Sequence, residues 1–195
     1  MEIYFATSNT NKFREAQEVF VVNAPRITLK HFQFTHREIR SDSLEEIATE
    51  ATEAAFRRLQ KPVFTEDTGL FVDALNGFPG TYSAWVQEKI GRKGILKLLE
   101  GVENRAARFE ACIAFHNGSS ILLFKGICEG RIAETERGKS GFGYDPIFIP
   151  EAHDTTFAEN IELKNKLSHR YKAISLLIDY LKNNQKMHDY TTRKV

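Results

Sequence analysis

Apolar and polar positions change their spacing several times along the chain, and each change marks an element. Ile3-Tyr4-Phe5-Ala6 is a short continuous apolar run, the pattern of a buried strand. Phe13, Ala16 and Phe20 then recur at helical spacing, which predicts a helix from about Asn11. Pro25 ends that region, and Ile27, Leu29 and Phe32 give a second strand. Ser43-Leu44-Glu45-Glu46 has the capping-box form, in which Ser accepts from a backbone N–H and the third following residue reaches back to the cap. Leu44, Ile47, Ala48, Ala51, Ala55 and Leu59 continue it as one apolar stripe, and a strand over Val63 to Thr65 runs into Glu66-Asp67-Thr68-Gly69. Strand, helix, strand, helix, strand is the rhythm of an α/β sheet.

Beyond residue 70 the rhythm changes. Asn76-Gly77-Phe78-Pro79-Gly80 is turn chemistry, followed by a helix predicted to end at Gly101. Phe109, Ala111, Ile113 and Phe115 alternate, Asn117-Gly118 supplies a two-residue hairpin turn, and Ile121, Leu123 and Ile127 return. These long antiparallel strands make the predicted sheet mixed. Gly138 to Gly143 is a glycine-rich loop, and Leu167, Ile174, Ile178 and Leu181 carry a last long helix. The expected organisation is one α/β domain over residues 1–186, as two closely packed lobes, with a frayed polar tail at 187–195.

Composition narrows the classes. With 42% apolar residues and fifteen Phe among 195, a sizeable core is available. The 27 basic residues nearly cancel the 26 acidic ones, which argues against a nucleic-acid binder that works by neutralising many phosphates. No apolar run approaches the roughly 18 residues that suggest a membrane span. Strand pattern begins at Ile3 without a basic leader, so no signal peptide is expected. In the two-residue hairpin register Cys112 opposes Leu123 and Cys128 opposes Ala107. The thiols then lie roughly 16 Å apart at about 3.3 Å per residue, too far for a disulfide. Two free thiols in a reducing cytosol, hence a cytoplasmic protein, is the expectation.

Four stretches carry candidate chemistry. Thr7-Ser8-Asn9-Thr10-Asn11-Lys12 sits where a strand meets a helix N-terminus, which favours an anion. It has no glycine, so small polar side chains and Lys12 would have to cradle a phosphate; Ser8, Asn9 and Asn11 equally suit a plain helix cap. Glu66-Asp67 is an acidic pair placed by the pattern at a strand's end, where α/β sheets bind ligands, although most such pairs are solvated loop starts. Glu38 is a third acidic candidate. Phe142-Gly143-Tyr144-Asp145 offers an aromatic on a bare backbone, able to stack a nucleobase for roughly 1–3 kcal/mol; a glycine-rich surface loop reads the same way. Gly138-Lys139-Ser140 imitates the end of a phosphate-binding P-loop, but the upstream glycine it needs is Ala133. Lys164 and Ser168, four apart, stand beside His169-Arg170 at the start of the last helix, a basic pocket or a solvated face. No His or Cys spacing suggests zinc.

Taken in order, these motifs resemble the inosine triphosphate pyrophosphatase family. The matching residues run from Thr7-x-Asn9-x-x-Lys12-x-x-Glu15 through Glu66-Asp67-Thr68-Gly69, Gly77-x-Pro79-Gly80-x-Tyr82-Ser83 and Phe142-Gly143-Tyr144-Asp145-Pro146 to Lys164-Asn165-x-x-Ser168-His169-Arg170. The resemblance implies an elongated, two-lobed α/β fold around a long mixed sheet, with a cleft between the lobes and a homodimer. It implies Mg²⁺-dependent hydrolysis of ITP, dITP or XTP to the monophosphate and pyrophosphate. Asp67 would activate water, and Glu38 and Asp67, with Glu66 close by, would hold the metal. Thr7 to Lys12 and Lys164 would hold phosphates, Thr68 would touch substrate, and Phe142 to Asp145 with His169 and Arg170 would frame the base. Many relatives carry a basic residue near positions 51 and 84, where this chain has Ala51 and Ala84.

On this reading Asp67 works by position beside a metal rather than by a raised pKa. Arg170, or a backbone N–H, aimed at the C6 oxygen of inosine or xanthine would exclude the C6 amine of ATP. A general pyrophosphatase of canonical or modified NTPs and a non-catalytic nucleotide binder are the alternatives.

Overall fold

The computed structural model describes residues 1–192. The first half holds β1 (Glu2–Thr7), α1 (Thr10–Asn23), β2 (Thr28–Gln33), α2 (Leu44–Leu59) and β3 (Val63–Val72). After it come β4 (Pro79–Gly80), α3 (Ser83–Lys89), α4 (Gly91–Leu98), the long strands β5 (Ala106–His116) and β6 (Ile121–Ile132), β7 (Phe148–Pro150), α5 (Ile161–Leu167) and α6 (His169–Thr192). The sheet order is β2-β1-β3-β5-β6-β7, with β4 paired to β3. β1 runs parallel to β2 and β3, and the remaining pairs are antiparallel. This is the mixed α/β sheet with flanking helices that the periodicity predicted.

Alternation along the strands assigns each face its helices. Ile3, Phe5, Phe64, Ala111, Ile113 and Phe115 share a core with Ala16 and Phe20 of α1 and Ile174, Leu177 and Leu181 of α6. Phe5 and Phe64 stack at 4.5 Å, a contact worth about 0.5–1.5 kcal/mol beyond its burial. On the opposite face Val63 packs with Ala55, and Cys112 and Ala114 with Leu44 and Ala48, all from α2. The far ends of β3, β5 and β6 enter a third core, in which Leu70, Phe109 and Ile132 meet Val86 of α3, Ile95 of α4, Phe148 and Phe157. Gly126 of β6 lets α6 lie close, because a Cβ there would run into the His169 carbonyl and the Ala173 amide.

Several local expectations are corrected. The Asn117-Gly118 loop has four residues, since Asn117 Oδ1 accepts from both the Ser119 and Ser120 amides and pairing resumes at His116↔Ile121. Cys112 therefore opposes Lys125, and Cys128 opposes Phe109. That leaves three residues, or about 10 Å, between the thiols; both are free and buried. The helix expected to reach Gly101 is two helices, because Gly91 at φ +62° adopts a conformation no α-helix continues through. The capping box is half present: Ser43 Oγ accepts from the Glu46 amide, while the Ser43 amide is met by Ser41 Oγ instead of Glu46. α6 takes in part of the segment expected as a tail, and 193–195 lie outside the described residues.

Candidate active site

β3 is the main correction and the reason a site exists. The sequence placed Glu66-Asp67 at a strand's end, yet the strand runs ten residues, through both of them, to Val72. Successive side chains alternate, so Glu66 joins the α1/α6 face and Asp67 the α2 face. Both still line one cavity, because β1 pairs with β3 only at Tyr4↔Val63 and Phe5↔Phe64, and β4 joins only at Leu70 and Phe71. Among the described residues, no strand covers that edge of β3 between Phe64 and Leu70. The cavity of about 480 Å³ opens there, lined by Thr7, Ser8, Asn9, Lys12, Glu38, Glu66, Asp67, Thr68, Phe142, Gly143, Tyr144, Asp145, Lys164, His169 and Arg170, with Ala51 and Ala84 also in its wall.

Thr10 and Asn11, grouped in the sequence with the phosphate cradle, do not line it. Thr10 is exposed, and Asn11 Oδ1 accepts from Arg14. Asn9 does cap α1, its Oδ1 accepting from the Asn11 and Lys12 amides. Those two N–H groups are spent on the cap, and the Asn9 amide is bound to Thr7 Oγ1. What the segment presents is side-chain chemistry, ending in Lys12 Nζ at 3.1 Å from the Glu66 carbonyl and 3.5 Å from its carboxylate.

The floor is a buried ion network that joins four distant segments. Arg170 donates from Nε and Nη2 to the Glu66 carboxylate at 2.8 Å, and from Nη1 to Glu15 Oε2 at 2.6 Å. Lys164 Nζ lies 2.6 Å from both Glu15 and Asp145, and 4.3 Å from the centre of the Phe142 ring. Asp145 Oδ2 also accepts from the Phe142 amide, which fixes the aromatic loop to the same ions. His169 stacks on Phe109 at 4.6 Å. Glu15 is the residue whose role the sequence left unassigned. Its spacing of three from Lys12 put both on one helix face, but its partners are 149 and 155 residues away.

Two of these side chains have partners that the sequence did not announce. Arg170, expected to face a base oxygen, is 2% exposed and lines the cavity with its guanidinium donating to Glu66 and Glu15. Lys164, expected among phosphates, has its charge committed to two carboxylates beneath Phe142.

The acids separate in proton affinity. Burial pushes Glu66 up, but the Arg170 and Lys12 charges and the Arg170 and Thr68 hydrogen bonds outweigh it and hold the carboxyl at about 2. Burial also dominates at Asp67, where Lys12 offsets it only partly and Glu38 and Glu66 add to it, so Asp67 is lifted to about 6. In the metal-free protein Asp67 therefore carries a raised pKa that the sequence did not announce. His169 is held well below its ordinary value, first by burial and then by Arg170, so it is neutral. Paired groups whose environments push their pKa values apart are the pattern of an acid–base site.

Asp67 Oδ2 has no hydrogen-bond partner among the described residues. Glu66 is unsuited to a metal because both its oxygens are taken. Among the described residues no cluster of three or more acidic, His or Cys side chains is built to cage an ion. An unpartnered hard carboxylate with Glu38 nearby suits magnesium, which typically binds through one or two carboxylates plus substrate phosphates.

The chain resembles known proteins over nearly its whole length. It is 48% identical to a Methanopyrus kandleri protein named dITP/XTP pyrophosphatase, over 94% of this chain and 98% of that one. A Thermococcus kodakarensis protein of the same name is 44% identical over 95% of this chain and all of its own. Among solved structures, a HAM1 protein from Coxiella burnetii superposes with a TM-score of 0.82 at 31% identity, covering 94% of this chain and 99% of that one. The Ham1 protein of Staphylococcus aureus gives 0.81 at 34%, covering 94% and 100%. A sequence model of the Ham1 family matches residues 3–180, and with such relatives on either side of it the chain belongs to the Ham1 family.

Proposed function

We propose that the protein is a magnesium-dependent pyrophosphohydrolase that converts non-canonical purine nucleoside triphosphates, dITP, ITP and XTP, to monophosphate and pyrophosphate. The observation that carries this reading is Asp67: a carboxylate with one orphaned oxygen, held at about 6, in the same cavity as Lys12 and Thr7 to Asn9. The names of the relatives support the substrate class.

Thr7, Ser8, Asn9 and Lys12 would bind the phosphates and orient them against Asp67. Asp67 would accept the proton of the attacking water, positioned help that typically contributes ~10²–10⁴-fold. Glu38 and Asp67 would hold magnesium, which when bound supplies charge neutralisation on the phosphates and an acidified water. Glu66 would anchor the arrangement through Arg170. Phe142 would stack on the base, with Tyr144, Asp145, Lys164 and His169 beneath it and Thr68 at the phosphate side. Lys164, paired with Glu15 and Asp145 and 4.3 Å from the centre of the ring, would support Phe142 from below.

The homodimer implied by the resemblance belongs to the same proposal, and exposed Phe78, Tyr82 and Trp85 offer it an apolar surface. No helix among the described residues is long and apolar enough to cross a membrane. The deciding experiment measures pyrophosphate and monophosphate from dITP, ITP, XTP, dGTP, dATP and dUTP, with and without Mg²⁺. Release confined to the first three supports the assignment. Equal rates on all six would make it a general pyrophosphatase, and binding without release a nucleotide sensor.

A further inference from the structure

Arg92, on the first turn of α4, lies outside the cavity and outside every motif read from the sequence. Its Nε donates to Glu136 Oε2 at 2.9 Å, and its Nη1 donates to the Gly143 carbonyl at 3.1 Å. One planar fork thus grips the chain on both sides of Phe142, at two points seven residues apart. We propose that Arg92 is a positioning residue: by holding Glu136 and Gly143 together it sets the height of Phe142 and Gly143 at the nucleobase end of the cavity, a role that rests on the nucleotide reading above.

The loop has few other restraints. Ser140, Tyr144 and Asp145 are held by backbone bonds with Ala158 and Ile147, but from Gly141 to Gly143 the described backbone bond is the one from the Asp145 N–H to the Phe142 carbonyl. The Phe142 amide is held from within, by Asp145. Gly141 and Gly143 both have positive φ, +73° and +59°, so this stretch owes its path to two residues without a Cβ. Tyr144 is pinned to α3 through its hydroxyl, which donates to the Ser83 carbonyl at 3.0 Å. Arg92 is therefore the group outside the loop that grips Gly143, and it ties the base end to α4 as Tyr144 ties it to α3. Lysine could satisfy one of the two acceptors but not both in the fixed geometry of a guanidinium.

Arg92 and Glu136 are each about one-third exposed, so the pair itself adds little to stability. Its effect should appear where the loop meets a base. The test compares, by calorimetry with Mg²⁺, binding of dIMP, which has a base, with binding of pyrophosphate, which has none. In Arg92→Ala, dIMP binding should weaken on the order of fivefold to tenfold, the equivalent of one ordinary hydrogen bond. Pyrophosphate binding should stay within about twofold of wild type by the same reasoning, as it shares no contact with the loop. KM for dITP should rise with dIMP affinity lost, while kcat changes less. Arg92→Lys and Glu136→Ala, each keeping one of the two links, should fall between, and they carry the test if Arg92→Ala folds poorly. Loss of both ligands together, or no change in either, overturns the proposal. Wild-type protein that binds pyrophosphate but not dIMP would remove the purine reading itself, and the role of Arg92 with it.

Discussion

Glu66 and Asp67 are consecutive in β3, yet one is held at about 2 and the other at about 6. The strand's alternation sends Glu66 to Arg170 and Lys12, and sends Asp67 to a place where one oxygen has no partner. One carboxylate is thereby made a permanent anion and its neighbour a proton acceptor near neutrality.

Asp67→Asn should reduce turnover of dITP by at least about 10²-fold. Nucleotide binding should stay within an order of magnitude, because the amide keeps the shape of the acid. Product release followed beside calorimetric binding of dITP checks both, and near-normal turnover would take Asp67 out of the mechanism.

The same substitution should stabilise the fold at neutral pH. Asp67 binds its proton more tightly folded than unfolded, with a carboxyl moved from 3.8 to about 6. Its contribution to stability is therefore full below about 4 and lost as pH rises through about 6. Asparagine removes that loss, on the order of 2 kcal/mol at pH 7.5, or about 4–8 °C in Tm. Thermal melts of both proteins in metal-free buffer should converge near pH 4; parallel curves would contradict the buried, unpaired state of Asp67.

Glu66→Gln should act in the opposite way. It leaves Arg170 and Lys12 facing a neutral amide in a buried setting, a change that typically costs about 3–5 kcal/mol. The low pKa of Glu66 means its stabilisation is present above about 4.5 and lost only as pH falls toward about 2. Denaturant melts at pH 7 should show the deficit. A variant as stable as wild type would mean that the ion network contributes little.

Phe142→Ala should weaken dIMP binding by about 1–3 kcal/mol, the worth of one stacked base. Pyrophosphate affinity should not follow it. Equal losses for the two ligands in the same titration would place the ring away from the base.

Periodicity revealed the α/β class, the element order in the first half and the long antiparallel pair, because each depends on residues close in sequence. Residues of all five motifs line one cavity. Three features were hidden. β3 reads as ending at Thr65 because polar residues interrupt its apolar run, whereas the strand continues through them along its pairing with β5. The partners of Glu15 come from α5 and α6, and nothing local in α1 announces them. The hairpin register turned on two Asn117 side-chain bonds that lengthen a loop Asn-Gly alone would close.

Gly126 has no chemistry to offer and lies on β6, outside every motif in the sequence. Its missing side chain nonetheless allows the opening turn of α6 to settle on the sheet, and that turn carries His169 and Arg170. A methyl group at this position would act as a wedge whose displacement is delivered, through Arg170, to the anchor of the acidic pair. The site's alignment thus has leverage points in residues that never meet the substrate, where a change that looks silent would be felt at Asp67.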